Sequence, residues 1–283
     1  MTKGLDVWFR EVHKDGIAVG VRVTGYPYSA QTPFQRIDVI DTALLGKTLL
    51  LDGVFMLTDK DEFIYHDMLV HIPMFTHPEP RSVLIVGGGD GGSVREVVRH
   101  PSVERIEMVE LDRMVVEACR KHFPALTCAL DDPRLTIHYA DGIEFVKGKR
   151  EAYDVILVDS TDPIGPAIGL FSESFYADCH KALKPGGVLT AQIGSPFFDA
   201  PEIKQILGNM AASFPIALPY TASVPTYPGG YWCFGIGSKG PDPRKRPSRE
   251  RYEAVSGKFL YYNPEIHEAS FVLPNYFREA LEG

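Results

Sequence analysis

The sequence predicts a doubly wound α/β fold with a small antiparallel β domain in front of it. Three observations predict this. From residue 81 onward, apolar strand-like runs alternate with helical stretches, which implies a mostly parallel sheet covered by helices. The stretch VLIVGGGDGG (83–92) runs an apolar strand into a glycine loop and then a helix, the Rossmann-like arrangement. Before residue 60 the apolar period is two, the period of a strand with one buried face. Two domains are therefore expected, 1–60 and 61–283.

In the first, IAVGVRV and RIDVID alternate as strands, and TLLLDGVFML places Asp52-Gly53 between two apolar runs, a hairpin signal. DEFIYHDMLVHIPMF changes to a helical period, with Phe63, Ile64, Met68 and Ile72 on one side and Pro73 limiting its end. Strand VLIV precedes the glycine loop and helix SVREVVRH. RIEMVEL precedes helix DRMVVEACRKHF, LTIHYAD precedes GIEFV, and YDVILVDS precedes a long loop and helix SESFYADCHKAL. KPGGVLTAQ reads as turn and strand, APEIKQILGNMAASF as helix and YWCFGIGS as a late strand. Residues 239–250 read as a Pro-rich charged linker, and the aromatic C-terminal stretch is expected to pack back onto the body.

A chain of 283 residues supports a sizeable core. Its formal net charge of −8 provides no global basic field for nucleic acid or anionic membrane. No apolar run approaches the ~20 residues of a membrane span. The polar N-terminus shows no secretory h-region, so a cytoplasmic protein is expected. Cys119, Cys128, Cys179 and Cys233 form no C-x-x-C pair, and no metal site is expected.

Ligands of open α/β sheets bind outside the carboxyl ends of the strands. In this chain those ends carry Asp90, Glu110, Asp141, and Asp159 with Asp162. Each has an ordinary explanation alone: Asp and Gly form turns, Asp caps helices, and Glu110 lies at the spacing of a ribose-binding acid. As a set they repel one another, and a cation in the crevice would relieve this. Asp90 argues against a pyrophosphate in its loop, since like charges ~4 Å apart cost on the order of 4 kcal/mol at an effective dielectric of about 20. A cationic nucleoside without phosphates, such as a sulfonium nucleoside, suits the loop instead.

At these residues the chain resembles the spermidine synthases, the polyamine aminopropyltransferases. The matching motifs are WFRE, DEFIYHDM, VLIVGGGDGG, MVELD, DDPRLTIHYADG, VDSTDPIGP, VPTYPGG and YYNPEIHEASFVLP. They run from Trp8 nearly to the last residue. The resemblance implies a sheet of the methyltransferase type and transfer of an aminopropyl group from decarboxylated S-adenosylmethionine, a co-substrate rather than a resident cofactor. It implies putrescine as acceptor, with spermidine and methylthioadenosine as products. It places the donor at Gln35, Asp90, Glu110, Asp141, Gly142 and Pro166. The acceptor falls at Tyr65, His66, Asp90, Asp159, Asp162, Gln192, Tyr227 and Trp8, with Asp159 as catalytic base. It further implies a homodimer or homotetramer, and the Pro/Gly-rich loop from Thr161 to Phe171 is expected to order over substrate.

Rival readings stay open on the residues alone: a nicotinamide oxidoreductase from the glycine fingerprint, a methyltransferase sharing fold and nucleoside, and a non-catalytic polyamine or nucleoside sensor. Agmatine or another amine would use the same carboxylates as putrescine.

Overall fold

The computed structural model describes residues 6–163 and 165–283. The first five strands form one antiparallel meander: β1 (Val7–His13), β2 (Ile17–Gln31), β3 (Arg36–Thr42), β4 (Gly46–Leu51) and β5 (Val54–Thr58). The Asp52-Gly53 hairpin forms as expected. Both residues have positive φ (49° and 80°), and Leu51 pairs with Val54 across a two-residue turn. Strand β1, which the alternation left unassigned, pairs along its length with β2.

Helix α1 (Glu62–Thr76) joins the two sheets. It does not stop at Pro73 but runs one turn further, closing with the His77 N–H on the Pro73 carbonyl at 3.0 Å. Proline in a helix forfeits a hydrogen bond and crowds the preceding turn. Fourteen of the fifteen residues of α1 are buried, and this packing offsets the loss.

The second sheet contains β6 (Ser82–Gly87), β7 (Arg105–Glu110), β8 (Leu135–Tyr139), β9 (Tyr153–Asp159), β10 (Leu183–Gly194), β11 (Ile216–Ala222) and β12 (Trp232–Ser238). Their order is β11-β12-β10-β9-β6-β7-β8, with β12 antiparallel to both neighbours. The sequence reading missed β11 because IALPYTA contains Pro219. In a strand, proline is tolerated at an edge, and β11 is an edge strand.

Helices α2 (Gly92–Val97), α3 (Arg113–His122), α4 (Gly142–Val146), α5 (Glu173–Ala182) and α6 (Ala200–Ala211) fill the connections. Asp112, Asp141 and Ser172 cap α3, α4 and α5 through their side chains. The stretch read as a linker leads into α7 (Arg249–Ala254), followed by α8 (Pro264–Ala269) and α9 (Asn275–Glu282). It is docked rather than free. Arg246 pairs with Glu265, and Arg251 donates to the carbonyls of Met74, Phe75 and His77 at the end of α1. The aromatic tail does pack back: Tyr262 stacks on Phe75 with ring centres 5.3 Å apart.

Candidate active site

Strand β6 leads to β7 on one side and is flanked by β9 on the other. Their carboxyl ends diverge there, opening a crevice. The glycine loop is knitted to β9 at this point. Gly87 has φ of 82°, and a side chain on it would strike the Asp159 carbonyl oxygen, which accepts the Gly88 N–H at 2.9 Å. The main cavity is ≈ 170 Å³. A second of ≈ 30 Å³ adjoins it, and the two share Met56, Tyr65, Ser160, Thr161 and Tyr227 as lining.

The catalytic candidate lines the main cavity beside Tyr65 and Ser160, which line both. Asp159 ends β9 with its carboxylate buried, accepting from Tyr65 Oη at 2.9 Å and Ser93 Oγ at 2.6 Å. Burial, with Asp90 adding repulsion, pushes its pKa up to about 6. Asp90 accepts the Gly92 N–H at 2.6 Å and lies 3.3 Å from His66 Nε2. The other ring nitrogen of His66 lies 2.7 Å from Glu62, whose two oxygens take a bidentate clamp from Arg95, both bonds 2.9 Å. His66, Asp90 and Asp159 each place a polar atom within 4.8 Å of the others. Burial works against the His66 cation, but Asp90 and Glu62 outweigh it and hold its pKa well above the usual imidazole range. Asp90 is held below the carboxylate range: burial raises it, and His66 and the Gly92 amide more than reverse this. Gly92 is required by close approach. A Cβ there would lie 2.6 Å from His66 Nδ1 and closer still to two other ring atoms.

Along the main cavity, Glu110 ends β7 and accepts from the Gly89 and Asp112 amides at 3.1 and 2.9 Å. Burial chiefly pushes its pKa up to about 7. Asp141 lines the cavity and also caps α4, accepting the Ile143 amide at 2.7 Å, so its ordinary and functional readings coexist. Gly142 lines the wall beside it. Gln35 enters from the N-terminal sheet and is held by Asp112 at 3.2 Å. Of Pro166 only the backbone is described, within the short 3-10 helix Gly165–Phe171, and Ile164 in the same loop lies outside the described residues.

The smaller chamber holds Asp162 and Gln192, joined at 3.3 Å, with Tyr227. Burial raises the Asp162 pKa, and Asp199 adds to it. Tyr227 donates to the Met56 carbonyl at 2.7 Å and meets Tyr65 edge-on. The Gln192 carbonyl oxygen is buried without a protein partner among the described residues.

Trp8 stands apart from the other candidates: it is 52% exposed on β1 and is not among the residues lining either cavity. Strand alternation sends Phe9 and Glu11 inward and Trp8 outward. The tryptophan of the smaller chamber is Trp232, and Glu11 stands there as well, accepting the Phe55 amide at 2.6 Å. Sequence reasoning missed Glu11, Trp232, Ser93 and Glu62. Glu11 alone carried a signal, being three residues from Trp8 within WFRE and therefore on the opposite strand face.

Fold and site together define an α/β enzyme of the methyltransferase-like architecture, with an acid-lined crevice suited to a cationic substrate. Residues 62–246 match the spermine/spermidine synthase domain, and residues 7–59 the spermidine synthase tetramerisation domain. The polyamine aminopropyltransferase of Moorella thermoacetica is 47% identical over 98% of this chain and 96% of its own length. That of Clostridium beijerinckii is 44% identical over 99% of both. A crystal structure of spermidine synthase in complex with the transition state analogue AdoDATO superposes with a TM-score of 0.95 at 42% identity, covering 98% of this chain and 95% of that one. Spermidine synthase from Thermotoga maritima gives 0.93, again at 42% identity, covering 98% and 94%. The chain belongs to the spermine/spermidine synthase family.

Proposed function

We propose that the protein moves the aminopropyl group of decarboxylated S-adenosylmethionine onto putrescine, giving spermidine and methylthioadenosine. The observation that carries this reading is the junction of the two cavities. A buried carboxylate, Asp159, lines a long chamber of spaced acids, and its tyrosine partner, Tyr65, also lines the short acid-ended one.

The donor would lie along the long chamber, its adenine at Asp141 and Gly142, its ribose hydroxyls on Glu110, with Gln35 and Pro166 completing the wall. Its ammonium would meet Asp90. A donor still carrying the carboxylate would bring a negative group against that aspartate, which accounts for selection of the decarboxylated form. The acceptor would enter the short chamber. Asp162 and Gln192 would hold its amine end, and the faces of Tyr65 and Tyr227 would flank its methylenes.

An alkylamine, with a pKa near that of lysine at about 10.4, is nearly all protonated at neutral pH. Asp159 takes one of its protons as the amine reaches the methylene beside sulfur. The new C–N bond forms as the C–S bond breaks, and sulfur leaves as a neutral thioether that needs no acid. Alignment of the two substrates across the junction supplies proximity.

The protein is further proposed to be cytoplasmic, to divide into domains near residue 60, and to assemble as a homodimer or homotetramer through its N-terminal sheet. The loop from Thr161 to Phe171, whose Ala167 and Leu170 line the long chamber, is proposed to order over substrate. Unchanged protease sensitivity of this segment on ligand addition would count against closure.

The test is a mass-spectrometric assay of the purified protein with decarboxylated S-adenosylmethionine and a panel of amines. Methylthioadenosine with spermidine supports the reading. An aminopropylated agmatine or other amine keeps the chemistry and changes the acceptor. A methylated product overturns it.

A further inference from the structure

His66 is 2% exposed by side chain; Glu62 hydrogen-bonds its Nδ1 at 2.7 Å, and Asp90 lies 3.3 Å from Nε2, which has no aligned hydrogen bond among the described residues. The groups facing it come from every element packed around it. They are Glu62 and Tyr65 on its own helix, Asp90 on the glycine loop, Asp159 at the end of β9, and Arg95 on α2 behind Glu62, with Tyr227 beyond Tyr65. A neutral imidazole has one N–H, so one of the two carboxylates would face a lone pair. Neither carboxylate is free to protonate cheaply: Arg95 clamps Glu62, and the Gly92 amide donates to Asp90. The geometry therefore selects the doubly protonated ring in the empty site. The balance of burial against the two carboxylates runs the same way.

The donor proposed above changes that balance. Glu62, Asp90 and Asp159 carry three negative charges, and His66 and Arg95 two positive ones; Glu96, which also takes Arg95, is balanced by Arg99, leaving the group one negative. A sulfonium with an ammonium adds two positive charges, one of them at the carboxylate that His66 already occupies. Loss of one proton restores neutrality.

Building on the aminopropyl-donor reading, we propose that His66 is an imidazolium in the empty enzyme, standing in for the donor ammonium at Asp90, and that donor binding sends its Nε2 proton to solvent. The product is a neutral imidazole whose Nδ1–H is held by Glu62, so one N–H bond is lost and one proton appears in bulk. Glu62, clamped by Arg95, is the positioning residue that decides which proton leaves. The device keeps the empty acid cluster from admitting arbitrary cations without a charge change, and it makes donor affinity rise with pH.

The experiment is calorimetric titration of the full-length enzyme near pH 7.5, in two buffers of different ionisation enthalpy, with decarboxylated S-adenosylmethionine and separately with methylthioadenosine. Methylthioadenosine shares the nucleoside and lacks both charges, so it cancels any proton exchange at Glu110. The donor is expected to release about one proton more than methylthioadenosine. In His66→Gln that excess should vanish while the donor still binds. Equal proton counts for the two ligands in the wild type overturn the proposal, as does an excess that survives in His66→Gln. If methylthioadenosine binds and the donor does not, the substrate reading falls and this inference with it. Should the variant fail to fold, 15N spectra of histidine-labelled wild type decide. Both His66 nitrogens protonated when free, with Nε2 deprotonated in the donor complex, supports the proposal; both protonated throughout refutes it.

Discussion

Replacing Tyr65 by phenylalanine removes one hydroxyl from the wall between the two cavities. It leaves Asp159 with Ser93 as its remaining side-chain donor. A hydrogen bond to a charged group is worth roughly 1.5–3 kcal/mol, and one pKa unit is about 1.4 kcal/mol. Removing the bond that favours the carboxylate should therefore raise its pKa by about one to two units. The starting value is about 6, so Asp159 is mostly ionised at pH 7 in the wild type. In Tyr65→Phe the ionised fraction at that pH falls to about a half or a tenth. The acid limb of kcat/KM, followed by methylthioadenosine release, should move up by the same one to two units. The variant should be roughly two- to tenfold slower at pH 7 and converge on the wild type near pH 9. A loss of equal size at every pH would refute the reasoning and mean that Tyr65 acts by packing against Tyr227 and Phe234.

Other substitutions separate the remaining roles. Asp159→Asn should lose most turnover yet bind donor, read by single-turnover kinetics beside equilibrium binding. Because the folded-state pKa of Asp159 lies above its ordinary value, its ionisation costs stability as pH rises, on the order of 3 kcal/mol above about pH 6. Asp159→Asn should therefore melt higher than wild type at pH 8, with the advantage shrinking at pH 5 in a thermal scan. Asp90→Asn should weaken decarboxylated S-adenosylmethionine more than methylthioadenosine; equal weakening would mean that Asp90 acts through the loop's shape. Gly92→Ala, whose Cβ meets the His66 ring, should lower stability by about 1–3 kcal/mol and displace His66, giving a drop in both Tm and kcat.

Much of this site is legible in the sequence because its acids come from strand ends, and strand ends are local features. Glu110, Asp141 and Asp159 end or directly follow their strands and Asp90 follows its strand after three glycines, so topology alone gathers them. Partnerships between distant elements were not legible. Nothing in DEFIYHDM tells that Glu62 meets Arg95, or that Asp67 takes the amides of Leu260, Tyr261 and Tyr262. The outward face of Trp8 was not legible for a different reason: a motif names a residue, whereas the side it faces depends on strand register. The run through Pro73 and the edge strand holding Pro219 both show packing overriding a local rule.

The smaller chamber takes its walls from both sheets: Glu11, Val54 and Phe55 from the N-terminal meander, Gln192 and Trp232 from the α/β sheet. The carboxylates that handle protons stand on other pieces, Asp90 on the glycine loop and Asp159 on β9, with Tyr65 of α1 lining both chambers. Chamber length and reacting groups are thus carried by separate pieces of chain. A small change in how the meander seats on the body would lengthen or shorten the space for an amine and leave the proton-handling groups in place. Choice of amine and chemistry of transfer can drift independently in such a molecule, and a search for altered substrate range should start on β1 and β5 rather than around Asp159.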